Sequence, residues 1–396
     1  MTLTHPRPPL LLVAVGFLVL AVAAAPRAEA AAAAGFTDKI TVRGARELAV
    51  GAIVSESMDE IKLADGRAFA TMTVTNIDYS DAPQAFRVAT DRRLQTVYPE
   101  AIRYYEAAGR NPQVRQLWAG PACLYYVALC HLEQGEDLAA AEAKFRELLE
   151  KFPKTRFRFD ALLGLGRVQY EAARYEAAIA QFTTLAKEAA AASWEDWQYM
   201  AYIWQARSLL EQGEKNAAKY DEALAVVKRV IALGPASQKF GDLVIQAKTI
   251  EAMVLVRKGE YKQAIEKLNV LIKEISPFVA GEVDKNADVR MQRTEAQCYN
   301  ALGQAQLKQY GVLKSEEDLR RALLAYLWTV VLYPRPAFAA EHAEALSQAA
   351  SCFDRLKQGT RATELKNELL EKYPESPYAR ALTQGKAGTS KKETGK

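Results

Sequence analysis

Between Asp38 and Tyr79 apolar and polar residues alternate, as at Ile40/Val42, Ile61/Leu63 and Met72/Val74, and β-branched side chains are frequent. A period of two puts every second side chain on one face of a strand, so four or five short strands are expected here. Asp65-Gly66 lies between two such runs and predicts a two-residue type I′ hairpin with positive φ at both positions. Gly51, inside the long second run, predicts a bend of the kind that turns a corner in a small barrel. The expectation is an SH3-like or Sm-like β-barrel over residues 37–80, with a core too small to be very stable alone.

From "DAPQAF" onward the period becomes helical and stays so to about residue 380, with breaks at Gly and Pro that are themselves periodic. Aligning the second helix of each pair reveals one spacing: an Ala, a large apolar residue four on, and a Pro twelve on. Ala141, Phe145 and Pro153 follow it, as do Ala223, Val227 and Pro235, and Ala322, Tyr326 and Pro334. Ala362 and Pro374 keep the spacing around Lys366, which departs at the middle position. Ala178/Phe182 and Ala264/Leu268 lack the Pro, with Ala190 and Ser276 in its place, and Ala101/Tyr105 ends near Pro112. Seven helix pairs are predicted.

This spacing resembles the tetratricopeptide repeat, W-x2-L-G-x2-Y followed by A-x3-F and P. "LLGLGRVQYEAARYEAAIAQF" supplies Leu162, Leu165, Gly166, Ala178 and Phe182, with Gln169 in the Tyr place and Tyr170 one residue late. "NALGQAQLKQY" offers Leu302 and Gly303, but seven extra residues precede Ala322. The resemblance covers residues 83–380. It implies a mainly α fold, a right-handed α-solenoid of about seven pairs after the small β-barrel. Small residues let two antiparallel helices approach, a large one fills the gap beyond, and Pro ends the second helix. In "SWEDWQYMAYIWQ" this register makes Tyr202 and Ala206 core, with Leu209 on the same stripe. Trp204 then packs sideways between repeats, while Trp194 and Trp197 sit at or before the helix start, where an alternative reading has them lining a ligand surface.

The first thirty residues carry Arg7, an apolar run from Leu10 to Ala25, and "AEA" before Ala31. That order predicts a secretory signal peptide cut after Ala30, or else after Ala34, and a periplasmic location. An uncleaved anchor in the inner membrane is the alternative, although sixteen apolar residues fall short of a span. The mature chain then has no membrane span. The whole chain has 52 basic and 48 acidic residues; losing Arg7, Arg27 and Glu29 leaves 50 and 47. The tail "GKAGTSKKETGK", with four Lys and one Glu, accounts for that excess and is expected to be disordered over 383–396. A neutral body argues against a nucleic-acid partner. Cys123 and Cys130 lie seven residues apart on one expected helix, about 10 Å in rise, too far to bond. Packed thiols are expected, Cys298 and Cys352 included.

No GxxxxGK[ST], HExxH, CxxC or GxSxG occurs, and "GLG" at 164–166 lacks the third glycine of a dinucleotide loop. His131 and His342 fall on helices of remote repeats and are expected to be packed or capping residues. No catalytic residue, metal or cofactor is predicted. Glu142, Glu147 and Glu150 alternate with Lys144, Arg146 and Lys151, which describes a solvated helix face. The resemblance implies instead a concave surface of first helices that holds a peptide or partner protein. The repeat register places Asp160, Arg167, Tyr170, Arg207, Gln297, Asn300 and Gln304 on it. The Lys/Asn set with which such domains clamp a terminal carboxylate is missing, so that mode is not expected. The functional expectation is a non-enzymatic scaffold or adaptor of the cell envelope. A glycan or peptidoglycan binder using Trp194, Trp197 and nearby tyrosines is the alternative. The sequence leaves the partner's identity and the oligomeric state open.

Overall fold

The computed structural model describes residues 35–45, 47–234, 240–279 and 289–383. The expected signal peptide, Pro235 and all but the first residue of the basic tail lie outside them. The chain divides into two compact units, Met1–Gly164 and Leu165–Lys396.

The first unit opens with six strands: β1 (Asp38–Val42), β2 (Ala49–Gly51), β3 (Ile53–Glu56), β4 (Glu60–Leu63), β5 (Ala68–Ala70) and β6 (Val74–Asp78). They form two three-stranded antiparallel sheets, ordered β2-β1-β6 and β3-β4-β5. The chain passes from one sheet to the other at Ala52, immediately after Gly51. A Cβ at Gly51 would stand 3.0 Å from Leu63 Cδ1, so a side chain there would crowd the crossing. Ile40, Ile53, Ile61 and Leu63 make the small core.

The β4–β5 turn differs from the predicted type I′. Gly66 takes φ +90°, but Asp65 is not among the residues of positive φ. The connection is four residues long, closed by Gly66 N to Leu63 O at 3.1 Å, and so needs only one left-handed residue. The Asp65 carboxylate instead accepts the Arg67 N–H at 3.0 Å and pairs with its guanidinium at 2.6 Å.

Helices follow as antiparallel pairs: α1 (Gln84–Leu94) with α2 (Tyr98–Gly109), α3 (Gln116–Gln134) with α4 (Leu138–Lys151), and α5 (Arg158–Glu171), inside which the unit boundary falls. Asp137 caps α4 by accepting the Ala140 N–H at 2.8 Å. Phe86, Tyr105 and Tyr126 pack ring on ring among these helices.

Buried charge fastens the strands to the helices. Arg115, just before α3, donates to Asp38 at 2.6 and 2.9 Å, to Asp81 at 2.8 Å and to Ile53 O at 3.1 Å. Trp118 Nε1 adds a bond to Asp81 at 3.0 Å, and its ring stacks on Tyr79 at 4.2 Å. Asp38 is fully buried yet complete, accepting also from the Ile53 and Ser80 N–H groups. Burial would push the Asp81 carboxyl up, but the Arg115 and Trp118 donors outweigh it and hold it below the usual carboxylate range. A second tie joins Arg156 to Glu56 at 3.1 Å, beside a backbone bond from Met58 N to Lys154 O at 2.9 Å.

The second unit continues with α6 (Tyr175–Ala191), α7 (Glu195–Gln212), α8 (Ala218–Ile231), α9 (Gly241–Lys258), α10 (Tyr261–Val279), α11 (Val289–Leu313), α12 (Glu316–Leu332), α13 (Ala339–Arg355), α14 (Gly359–Lys372) and a last helix at 377–383. From α1 to α14 these are seven pairs. Every Ala and large partner of the repeating spacing is buried to 1% exposure or less: Ala101/Tyr105, Ala141/Phe145, Ala178/Phe182, Ala223/Val227, Ala264/Leu268 and Ala322/Tyr326. The facing positions are small for a steric reason. A Cβ on Gly164 would stand 2.3 Å from Phe145, one on Gly166 2.2 Å from Phe182, and one on Gly303 2.8 Å from Tyr326. In the last pair Ala362 is buried, and Lys366 reaches Asp354 at 2.6 Å on the surface.

Proline ends the second helices as expected. Pro153, Pro334 and Pro374 stand two residues beyond the ends of α4, α12 and α14, and the intervening Phe152, Tyr333 and Tyr373 have left the helical region. In six of the seven pairs the turn holds one left-handed residue, Gly135 and Gly259 in two of them but Thr96, Ala173, Lys314 and Lys357 in the other four; the α7–α8 turn has none. All four cysteines are buried and unbridged, as expected.

Candidate functional site

In the second unit the first helices of successive pairs present polar side chains at a spacing of three or four, which keeps them on one helix face. Arg167 and Tyr170 come from α5; Trp204, Arg207 and Glu211 from α7; Gln297 and Asn300 from α11; Glu341 and Glu344 from α13. Beside these positions the same helices carry core residues, with Ala206 and Leu209 in α7, Ala301 and Ala305 in α11, and Ala345 and Ala349 in α13.

Apart from Glu211, these side chains form one connected chain of contacts. Arg207 Nη2 donates to Gln297 Oε1 at 3.1 Å, and Gln297 Nε2 donates to Glu341 Oε1 at 2.9 Å. Asn300 Nδ2 donates to Glu341 O at 2.9 Å and to Glu344 Oε2 at 3.0 Å. Arg293 approaches Glu341 at 3.7 Å. At the α5 end, Trp204 stacks on Phe182 at 5.9 Å and meets the edge of Tyr170 at 5.6 Å. The Arg167 and Arg207 guanidinium groups lie 5.4 and 5.7 Å from its ring centre. Trp204 thus packs between repeats, as its register predicted.

Five of the seven residues placed on this face by the sequence therefore meet, directly or through Trp204 and Glu341. Gln304 lies half-buried on α11. Asp160 belongs to the first unit, where it accepts a bond from Tyr125 beside Arg156; burial pushes its carboxyl up to about 6. Sequence reasoning missed Glu211, Arg257, Glu341, Glu344 and Tyr378. Burial raises Glu211 and Glu344 above the ordinary carboxylate range. Both are felt by Tyr378, in the helix at 377–383, as is Arg257 of α9. Arg257 is itself paired with Glu214.

Tyr202, expected in the core, is half-buried: it accepts from Gln198 at 3.1 Å and lies under Arg229. Trp194 and Trp197 are half-buried at the start of α7 and already in contact with neighbours. His342 is fully buried, its Nε2 3.1 Å from Val330 O, and burial lowers its pKa. Burial pushes the Cys123, Cys130 and Cys298 thiols up to about 12 and Cys352 to about 11, so all four are protonated at neutral pH. Among the described residues no cluster of His, Cys, Asp or Glu is placed to hold a metal, and no helix is long and apolar enough to cross a membrane. In the first unit a pocket of about 340 Å³ opens beside α2, α3 and α4, lined by Arg110, Cys123, Lys144, Glu147 and Lys151 among others.

A family model described as "Tetratricopeptide repeat" matches residues 122–155. That span holds most of α3 and all of α4, the pair that keeps the full Ala141, Phe145 and Pro153 series, rather than the 162–182 stretch richest in the first-helix motif. No curated protein matches the chain. Similar solved structures include a tetratricopeptide repeat protein from Parabacteroides merdae, at 15% identity and TM-score 0.48, covering 76% of this chain and 96% of that one. Rap protein complexed with Competence and Sporulation Factor is 14% identical, covering 72% and 73%, with TM-score 0.47. NprR in complex with its cognate peptide NprX is 13% identical, covering 76% and 80%, with TM-score 0.44. At those scores the likenesses carry nothing about what this chain binds. The segment similar to the tetratricopeptide repeat, residues 122–155, thus lies within a series of helix pairs that share its buried Ala and large-residue spacing.

Proposed function

We propose that this protein is a non-enzymatic scaffold that holds a peptide, or an extended segment of a partner protein, against the polar face of the first helices in its second unit. The observation that carries this reading is the Arg207–Gln297–Glu341–Asn300–Glu344 chain, in which α7, α11 and α13 direct hydrogen-bonding groups to one place. Partly buried donors and acceptors of both signs suit a polypeptide backbone, which offers N–H and C=O groups in alternation. The buried, protonated thiols and the packed His342 provide no activated nucleophile or base there. The N-terminal order of Arg7, apolar run and small residues supports an envelope location for the mature chain.

The test is site-specific photocrosslinking in the living cell. A photoreactive residue at position 207 should give one or a few discrete adducts with other proteins, whereas one at Arg320, exposed on α12, should give none above background. Equal labelling from both positions would remove the reading. Fractionation of the same cells tests the location, a cytoplasmic mature chain being the adverse result.

A further inference from the structure

The same face leaves hydrogen-bond acceptors short of donors at one place. Asn300 is only 3% exposed, and its amide nitrogen is committed to two acceptors, Glu341 O and Glu344 Oε2. Those two acceptors fix the orientation of the amide, because turning it over would set Oδ1 against a carbonyl and a carboxylate. Oδ1 is held in place, and among the described residues it has no hydrogen-bond donor. Buried polar atoms are satisfied in the great majority of cases, so an orphan lodged among carboxylates calls for an explanation.

The carboxylates beside it are short of cations. Glu344 takes the one amide bond from Asn300, and among the described residues it has no ion pair. Glu211, contributed by α7, is close enough to raise Glu344 electrostatically and has no ion pair of its own among them. Arg257 attracts both, yet its guanidinium is bonded to Glu214. Glu341 differs, being met by Gln297 at 2.9 Å and Arg293 at 3.7 Å. Burial without a close counterion is what raises the Glu211 and Glu344 carboxyls.

A group that donates hydrogen bonds and carries positive charge would complete this cluster, meeting Oδ1 and the two carboxylates at once. The carboxylates are not grouped closely enough to hold a metal ion. A lysine ammonium brings three donors and an arginine guanidinium five, with no acceptor on either to meet Oδ1 badly. We propose that Asn300 Oδ1, Glu344 and Glu211 together receive a lysine or arginine side chain of the polypeptide held on this face. The inference rests on the peptide-binding reading above and adds the chemistry of one subsite.

The test uses the full chain and a pool of synthetic decapeptides of random sequence, the retained peptides being read by mass spectrometry. A retained peptide is then made with arginine at the basic position and remade with citrulline there, which keeps the shape of arginine and removes the charge. Retained peptides should share an Arg or Lys at one position, and the citrulline twin should bind at least about tenfold more weakly, the scale of a charge-assisted bond. The Glu211→Gln, Glu344→Gln double variant should bind the arginine peptide and its citrulline twin alike, whereas Arg207→Ala should weaken both together. The citrulline comparison is made on the unaltered protein, so it decides the matter even if a variant misfolds. Retained peptides that need Arg207 but share no basic residue would overturn the cation subsite and leave the binding face standing. A pool from which nothing is retained would overturn both.

Discussion

Two clusters of buried charge, one in each unit, are built to opposite specifications. Around Arg115 every carboxylate oxygen of Asp38 and Asp81 meets a donor, and the cluster ties strands to helices. Around Asn300, among the described residues, an amide oxygen has no donor and two carboxylates, Glu211 and Glu344, have no ion pair. Burying a charge is costly unless its bonds are complete, so the first cluster stabilises the fold while the second bears an unmet electrostatic demand. Completeness of bonding, rather than burial or charge count, separates a structural cluster from one open to a partner.

The contrast predicts a graded series of effects. Arg115→Ala leaves two aspartates buried without their cation and should destabilise the first unit by about 3–5 kcal/mol, read from urea unfolding; a loss below about 1 kcal/mol would make that cluster no more structural than the other. Gly166→Ala drives a methyl into Phe182 and should cost about 1–3 kcal/mol by thermal melting, a packing effect against which both charge clusters can be scaled. Asp160 supplies a pH test. Its carboxyl titrates at about 6 in the folded chain against about 3.9 in the unfolded one. Between those values the folded state holds more protons, so this group's contribution to stability falls as pH rises from about 4 to about 6. Stability curves of the wild type and Asp160→Asn should therefore converge at the acidic end, separate between about pH 4 and about pH 6 and run parallel above it, with the variant relatively more stable; an offset constant over the whole range would contradict the assignment. Glu344→Gln, at the open cluster, should change stability by less than about 1 kcal/mol or raise it slightly, since no ion pair is broken. Ala173→Gly, which relieves a left-handed alanine at φ +55°, should stabilise the chain by at most about 1 kcal/mol.

The repeat was legible in the sequence because its determinants are local. An Ala and a large residue four positions on share one helix face, and the Pro twelve positions on ends that helix, so Ala141, Phe145 and Pro153 suffice to place α4. Counting along first helices also reached Arg207, Gln297 and Asn300, since orientation on a helix follows from register. It could not reach Glu344. Glu341 and Glu344 have the spacing of an ordinary solvated pair, and only packing brings α13 to α11 and, through Glu211, to α7. The Arg115 cluster was equally hidden: its members, Asp38, Asp81 and Arg115, belong to a strand and two connections with no period to read. The Asp65-Gly66 turn misled because the dipeptide signal presumes a two-residue loop, while here four residues, Ala64 to Arg67, connect the strands.

The β module cannot be treated as a detachable prefix. A shortened chain beginning at α1 would strip Arg115 of both aspartates, Arg156 of Glu56 and the Trp118 ring of its Tyr79 cover, leaving two guanidinium groups facing a vacated apolar surface. In native-state hydrogen exchange the Ile53 and Ser80 amides, which donate to Asp38, should consequently open in the same cooperative step as the core of α3. Strands and first helices would then be inherited, transplanted and lost as one piece.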